Sequence, residues 1–469
     1  MTEGPVLRKI IVFMLPLMLT NLLQVLYNAA DMMVVELSGV ENAVGAVGTT
    51  GSFVTLITNV FIGFSVGANV LVARNIGAKN EDGVSRAVHT AICMSLIFGV
   101  AGGAVGIAVS RPVLSVMGTP DSLLDLATTY TYIYFAGIPF ISLANYLISI
   151  FRAKGDTRTP LLVLMTSGML NVLLNLFFVL VCGLSVEGVA LATVMANAVS
   201  ALVLGHILMR DSGPCRLSPK KLRIDRSAFR EIIGIGLPAG IQGALFSVSN
   251  MLIQSSILRL NDAMKAELNV PIAYEPVIKG NAATLSLENF AFTAVNAVHQ
   301  AAVTFTGQNA GAKRYDRVKR VMGACYLVEG CVAVLITVIL VLLRNPLLAL
   351  YGVRTVEGDP LAMLAYNTAK TRIYVKWAPF ILYAALDVSN AVLRGLGKSL
   401  TATAISLVGT CFFRVVWVYT AFRALFSLEA LYISYPISWG MSAAAAFVCV
   451  LLILRRRIRA QRGNEVNME

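Results

Sequence analysis

The sequence predicts an all-α polytopic membrane protein, with about twelve transmembrane helices in two parallel six-helix repeats around a central cavity. Three observations predict it. The 469-residue chain is 57% hydrophobic and only 13% charged, with mean hydropathy +0.75, whereas a soluble globular chain is about 25% charged. Apolar runs of about 20 residues, the length that crosses a bilayer, recur along it between short polar stretches. Nearly the same phrase also occurs twice, as ARNIGAK at Ala73–Lys79 and GQNAGAK at Gly307–Lys313.

The apolar runs place spans near 10–36, 45–72, 88–110, 127–151, 161–182, 188–209, 230–258, 284–306, 321–343, 369–393, 401–424 and 431–454. In lipid the backbone must satisfy its own hydrogen bonds, so such spans are expected to be helices. The first run is longer than the apolar core of a signal peptide and lacks a small-residue cleavage exit, so it is expected to stay in the mature protein.

The formal net charge is +13. Its placement argues for topology, not for a nucleic-acid partner. Basic residues cluster on alternate connections: Arg8 and Lys9, then Arg74, Lys79 and Arg86, then Arg152, Lys154 and Arg158, then the segment 211–229, then Lys313–Arg320, then Arg394 and Lys398, then Arg455–Arg462. This bias puts both termini in the cytoplasm. The seven cysteines form no CxxC or zinc spacing, so neither a metal site nor a cofactor is expected.

Further landmarks recur with the twin phrases. Leu15-Pro16 matches Leu237-Pro238, Asn28 matches Asn250, and Pro139-Phe140-Ile141 matches Pro379-Phe380-Ile381. Arg152–Gly155 matches Arg394–Gly397. The expected lobes are 1–210 and 230–469, joined by a cytoplasmic linker at 211–229. In each twin phrase the Gly is expected to give a tight exit from the helix and the Lys to anchor it at the cytoplasmic face. The external stretch 259–283 reads as a surface loop, with capping of the outer mouth as the alternative.

These residues resemble a known family. The early Leu-Pro, the LYNAAD ending at Asp31, the paired GAK phrases with QN before the second, and RAKGDTRTP after the fourth span are similar to the multidrug and toxic compound extrusion (MATE) transporters. The resemblance covers essentially the whole chain. It implies two six-helix lobes, a V-shaped central cavity, and antiport of organic cations against Na⁺ or H⁺. A multi-pass protein of a bacterial cytoplasmic membrane, acting as a monomer, is the expected setting.

Ionisable groups inside a membrane are costly and therefore functional candidates. Asp31 leads. At about 100° per residue, Asn21, Gln24, Asn28 and Asp31 share an arc of roughly 80° on the first span, a polar stripe expected to face protein or a wet cavity. A carboxylate there can hold a proton or Na⁺, and the resemblance implies an Asp at this point too. Asn171 and Asn175 stand at i, i+4 on the fifth span. The family often has an Asp near Asn175, so here Asn171, Asn175, Asn197 and Asn28 are expected as neutral ligands around Asp31. Interhelical hydrogen bonding is the alternative. Pro16 and Pro238 break the backbone ladder of their helices, either as hinges or as static kinks.

In the second half, Glu288, Asn296 and His299 share one face of the eighth span. Asp387 lies on the tenth and Arg414 near the middle of the eleventh. Arg414 needs a carboxylate or carbonyls. Glu288 and Asp387 read either as its partners or as cation-attracting cavity groups. Gln24, Tyr27, Tyr146 and Tyr383 are further cavity candidates for flat cations. Some relatives carry carboxylates on both the seventh and tenth helices for Na⁺; the seventh span here has none, which favours H⁺.

No P-loop is present, so ATP is not the fuel. No HExxH motif occurs, and no catalytic residue and no enzyme are expected. The leading expectation is a secondary antiporter for small organic cations. The alternative is a flippase for a lipid-linked precursor, or an exporter of another dedicated metabolite, which would lean on Arg414, Lys370, Arg372 and Lys376.

Overall fold

The computed structural model describes residues 1–40, 43–267, 275–356 and 358–466. Its long helices are α1 (Val6–Leu37), α2 (Ala43–Gly77), α3 (Glu81–Val116), α4 (Asp121–Ala136), α5 (Ile138–Lys154), α6 (Arg158–Leu176), α7 (Val186–Met209), α8 (Arg226–Glu267), α9 (Pro276–Gly311) and α10 (Tyr315–Leu342). Then follow α11 (Arg344–Ala349), α12 (Pro360–Arg372), α13 (Ile381–Gly395), α14 (Ser399–Ser406), α15 (Phe413–Trp417), α16 (Arg423–Leu425), α17 (Leu428–Tyr432) and α18 (Ser434–Val466). No strand occurs among the described residues.

Nine helical stretches among the described residues are long and apolar enough to cross a membrane, and the bent α4–α5 pair makes a tenth. The expected spans near 284–306 and 369–393 are present as α9 and α12–α13 but are less apolar. The first carries Glu288, Asn289, Asn296, His299 and Gln300, and the second Arg372, Lys376 and Asp387. Several of these groups bond to one another, as described below.

The expected span at 127–151 is broken. The α4 and α5 axes meet at 50° around Gly137, with Pro139 in the first turn of α5. Proline cannot continue the preceding ladder. The matching Pro379 sits in the turn 378–380 between a π-helical segment, Ile373–Trp377, and α13.

The twin phrases have a different structural basis from the one expected. The left-handed residue at each helix exit is the lysine, with φ 54° at Lys79 and 56° at Lys313. The Asn80 N–H returns to the Asn75 carbonyl at 3.0 Å, and the Arg314 N–H to the Asn309 carbonyl at 2.9 Å. Both exits are thus Schellman-type turns. Gly77 and Gly311 stay helical and serve close packing. A Cβ on Gly77 would collide with the backbone of Gln308, and one on Gly311 with the backbone of Arg74.

Small residues also let α2 approach α8. Gly63 and Gly67 on α2 face Gly236 and Gly240 on α8; a Cβ on Gly236 would lie 2.7 Å from the Phe64 Cα. Such small-xxx-small pairs allow backbones to touch where lipid supplies no hydrophobic drive.

The expected loop 259–283 is largely helical in its described parts. α8 runs to Glu267 and α9 starts at Pro276, because RLNDAMKAE holds good helix formers and no Gly or Pro. Lys265 pairs with Glu275 at 3.0 Å. Residues 268–274 of this stretch lie outside the described residues.

The chain packs as two compact units. The first comprises Met1–Ala244, Val303–Arg314 and Arg394–Leu400; the second comprises Leu245–Ala302, Tyr315–Leu393 and Thr401–Glu469.

Candidate functional site

The first unit encloses a cavity of about 600 Å³ between α1, α2, α4, α5, α6 and α7. Gln24, Tyr27, Asn28 and Asp31 of α1 line it, so Gln24, Asn28 and Asp31 of the predicted polar stripe face the cavity, while Asn21 is not among its lining residues. On α2, Gly48 and Gly51 leave open space where side chains would stand. Pro16 lies inside α1, and the Thr20 hydroxyl donates to its carbonyl at 2.8 Å. Pro238 lies inside α8.

Asp31 is held by α6 and α7. The Asn175 amide N–H donates to Oδ1 at 2.5 Å, and the Thr193 hydroxyl approaches Oδ2 at 3.5 Å. Asn171 bonds to Asn175 and to Thr193, each at 3.4 Å. The Asn175 amide therefore presents an N–H donor to the carboxylate. The buried Oδ1 of Asn175 has no hydrogen-bond partner, which leaves an acceptor beside the carboxylate. Immediately after Leu176 the helix widens into a π segment, Phe177–Val181. Such single-turn π insertions often sit at functional sites.

Asn28 and Asn197 line the same cavity. Asn197 donates to the Thr193 carbonyl one turn back at 2.8 Å and so fixes α7 locally. Tyr27 packs against Gly168, where a Cβ would strike its ring, and its hydroxyl donates to the Met165 carbonyl at 3.3 Å. Tyr146 is not a cavity residue. It is fully buried in the apolar core with Leu71, Val88 and Leu204, because its face of α5 packs against neighbouring helices.

Sequence reasoning missed three residues here. Thr193, Tyr130 and Tyr134 line the cavity, and the two rings stack at 6.2 Å. The tyrosines gave a signal, being one turn apart at i, i+4. Thr193 gave none, since lone threonines are common in membrane helices.

The second unit gathers Glu288, Arg372, Lys376 and Trp377. Arg372 grips Glu288 with two bonds of 2.6 and 2.7 Å, Lys376 donates at 2.6 Å, and the Trp377 indole at 2.8 Å. Arg372 also donates to Asn281, which accepts from the Tyr432 hydroxyl at 3.1 Å. All of these side chains are buried. Glu288 is therefore the counter-ion of Arg372 and Lys376, not of Arg414. Arg414 has a different environment from the carboxylate or carbonyls expected: it donates to the Ser438 hydroxyl at 3.2 Å and stacks over the Tyr435 ring at 4.0 Å. Lys376 lies 4.1 Å from the same ring. A planar guanidinium can stack in this way.

Asp387 pairs with His299, Oδ2 to Nδ1 at 3.1 Å, and so is not the Arg414 partner either. Asn296 is exposed and accepts from Gln300. Tyr383 belongs to an aromatic cluster, stacked on Phe380 at 5.4 Å and edge-on to Phe292 and Trp439. Among the described residues, no group of three or more His, Cys, Asp or Glu is arranged to hold a metal ion.

The geometry is joined by a decisive comparison: a profile of the MatE family matches residues 16–177 and 278–420. The chain belongs to the MATE family. This MATE chain is 25% identical to the probable multidrug resistance protein YoeA of Bacillus subtilis over 415 residues, which span 87% of this chain and 85% of the relative. It is 22% identical to the multidrug export protein MepA of Staphylococcus aureus over 460 residues, 97% of this chain and 95% of the relative. Among solved structures, an outward-facing multidrug resistance MATE transporter of the MOP superfamily shares its fold with TM-score 0.85, at 19% identity and 98% coverage of each chain. The MATE chain is thus an all-helical, multi-pass membrane protein.

Proposed function

We propose that this protein is a secondary active antiporter that exports organic cations, including drugs, in exchange for H⁺ or Na⁺ by alternating access. The observation that carries the reading is Asp31. It is a carboxylate inside the membrane, at the wall of a cavity of about 600 Å³, held by Asn175 and Thr193. A cation or a proton can neutralise it there, and each occupant prefers a different state of the transporter. That difference in preference is the coupling free energy. The multidrug names borne by the relatives in B. subtilis and S. aureus support the substrate class. The proposed lobes are the repeats 1–210 and 230–469 joined by 211–229, with both termini cytoplasmic in a bacterial plasma membrane and the monomer as the working unit.

Between the two ions, H⁺ is favoured. The part of α8 at 232–258 carries no carboxylate, so no second acidic group is offered from that helix. Transport of a fluorescent organic cation into everted vesicles, which is the direction of cellular efflux, under an imposed pH gradient tests the reading. Driven efflux in the native protein and its loss in Asp31→Asn is the expected result. Equal efflux in both would remove Asp31 from the mechanism, and efflux driven only by a Na⁺ gradient would replace H⁺ by Na⁺.

A further inference from the structure

The linker between α7 and α8 is fastened to the first unit. Cys215 and Leu217 pack into the apolar core that also holds Val84, Val88 and Leu208, and a single 3₁₀ turn follows at Pro219–Lys221. The Ser218 N–H donates to Nε2 of His89 at 3.0 Å, and Nδ1 of the same ring faces the Ser85 carbonyl at 2.7 Å. The Asp225 N–H donates to the Thr90 hydroxyl at 3.0 Å. His89 and Thr90 lie about two turns beyond the start of α3, where its apolar run begins. The linker is therefore held at the level where hydrocarbon gives way to headgroups.

The charges of this segment fall into two groups. Each acidic side chain between 211 and 231 is used within the protein: Asp211 pairs with Lys154 at 2.8 Å, Asp225 accepts from the Ala228 N–H at 2.9 Å, and Glu231 pairs with Arg74. The basic ones, Arg216, Lys220, Lys221, Arg223, Arg226 and Arg230, are all exposed. No hydrogen bond or ion pair among the described residues engages any of their side chains. Arg226 and Arg230, one turn apart, line a recess with Ser227 and Glu231. Two apolar side chains stand uncovered among these cations, Leu222 at 40% and Ile224 at 46% exposure. Topology asks only for positive charge in a loop. It asks for neither a docked backbone nor exposed apolar residues between the charges. Anionic lipid matches both features, because its phosphates attract the cations and its acyl boundary takes up the apolar groups. We propose that Arg216–Arg230 is a docking surface for anionic phospholipid, with the free cations on the phosphates and with Leu222 and Ile224 in the acyl boundary. The surface is separate from Asp31 and stands whichever ion drives transport.

Thermal unfolding of the full-length protein in neutral detergent, with phosphatidylglycerol or phosphatidylcholine added, tests this. Mixed micelles have no sides, so the outcome does not depend on which way the linker faces in a cell. Phosphatidylglycerol should raise the midpoint and phosphatidylcholine should not. Added salt should shrink the rise by screening the phosphates. Lys220→Gln, Lys221→Gln and Arg223→Gln combined should lose most of the rise. Arg455→Gln, Arg456→Gln and Arg459→Gln combined, an equal loss of charge on α18, should keep most of it. Equal losses in the two triple variants would mark a response to net charge and overturn the proposal. An equal rise with inorganic phosphate would also overturn it, by making the cluster a small-anion site. Leu222→Trp gives a second readout with every charge in place. Its fluorescence in excess of the native protein's should be quenched by phosphatidylglycerol brominated on the acyl chains. Unquenched emission would show that the segment stays off the lipid, and the proposal would fall.

Discussion

Gly77 packs against the backbone of Gln308, and Gly311 packs against the backbone of Arg74. The two contacts are reciprocal: each twin phrase supplies the glycine for one and the main chain for the other. This is why the phrase is written twice. The side chains at these two positions act differently, and that of Arg74 pairs with Glu231. Gln308 donates to the Ala153 carbonyl at 2.7 Å, and the Arg74 guanidinium reaches the matching turn at Gly397.

The reciprocity gives a first prediction. Gly77→Ala and Gly311→Ala should each lower stability by about 1–3 kcal/mol, the usual cost of overpacking, and by similar amounts. Gly234→Ala, whose Cβ meets nothing within 4 Å, should be neutral or slightly stabilising. Thermal unfolding midpoints in detergent compare the three. Equal midpoints for Gly77→Ala and Gly234→Ala would show that the contact is not tight.

The bonds to Asp31 rank its two partners. Asn175 donates at 2.5 Å and Thr193 at 3.5 Å, and the longer distance is at the edge of a useful bond. A hydrogen bond to a charged group contributes roughly 1.5–3 kcal/mol, so Asn175→Ala should slow gradient-driven efflux by about tenfold or more. Thr193→Val should have a clearly smaller effect. Initial rates at one imposed pH gradient decide it, and a larger loss in Thr193→Val would reverse the ranking.

The site was legible where polar residues line one helix face. The stripe on α1 gave Gln24, Asn28 and Asp31, and the i, i+4 spacing on α6 gave Asn171 and Asn175. Pairing between helices was not legible. Glu288, Arg372 and Lys376 were visible as charges, but spacing along a helix does not say which distant charge a carboxylate meets, and Arg414 was matched to the wrong kind of partner. The glycine exits were misread for a related reason. A Gly near a helix end commonly takes the left-handed position, and only tertiary contact shows that Gly77 and Gly311 are needed for approach.

The ion cluster around Glu288 should respond asymmetrically. Removing the carboxylate leaves Arg372 and Lys376 buried without a counter-ion, a loss of roughly 3–5 kcal/mol for one broken buried pair. Glu288→Ala should therefore unfold or fail to accumulate in the membrane. Adding Lys376→Met to Glu288→Ala should recover part of the stability, because one unpaired charge is removed. Yields of monodisperse protein and thermal midpoints report both. A double variant worse than the single would mean that Lys376 is held mainly by Tyr435 and not by Glu288.

Tyr435 lies within reach of two cations, with Lys376 at 4.1 Å and Arg414 at 4.0 Å from its ring. Arg414 is buried, and its hydrogen bond at this site goes to a neutral hydroxyl, so the ring supplies the electron-rich face that a carboxylate would otherwise provide. A desolvated cation over an aromatic ring gains up to about 2 kcal/mol. Tyr435→Phe keeps that face and should melt close to the native protein. Tyr435→Leu keeps the apolar bulk but loses the face for both cations, and should lower stability by about 2–4 kcal/mol on the same scale. Arg414→Met should then largely relieve the Leu variant while costing little in the Phe variant. If Tyr435→Phe is as damaging as Tyr435→Leu, the hydroxyl and not the ring is what holds these charges in the membrane.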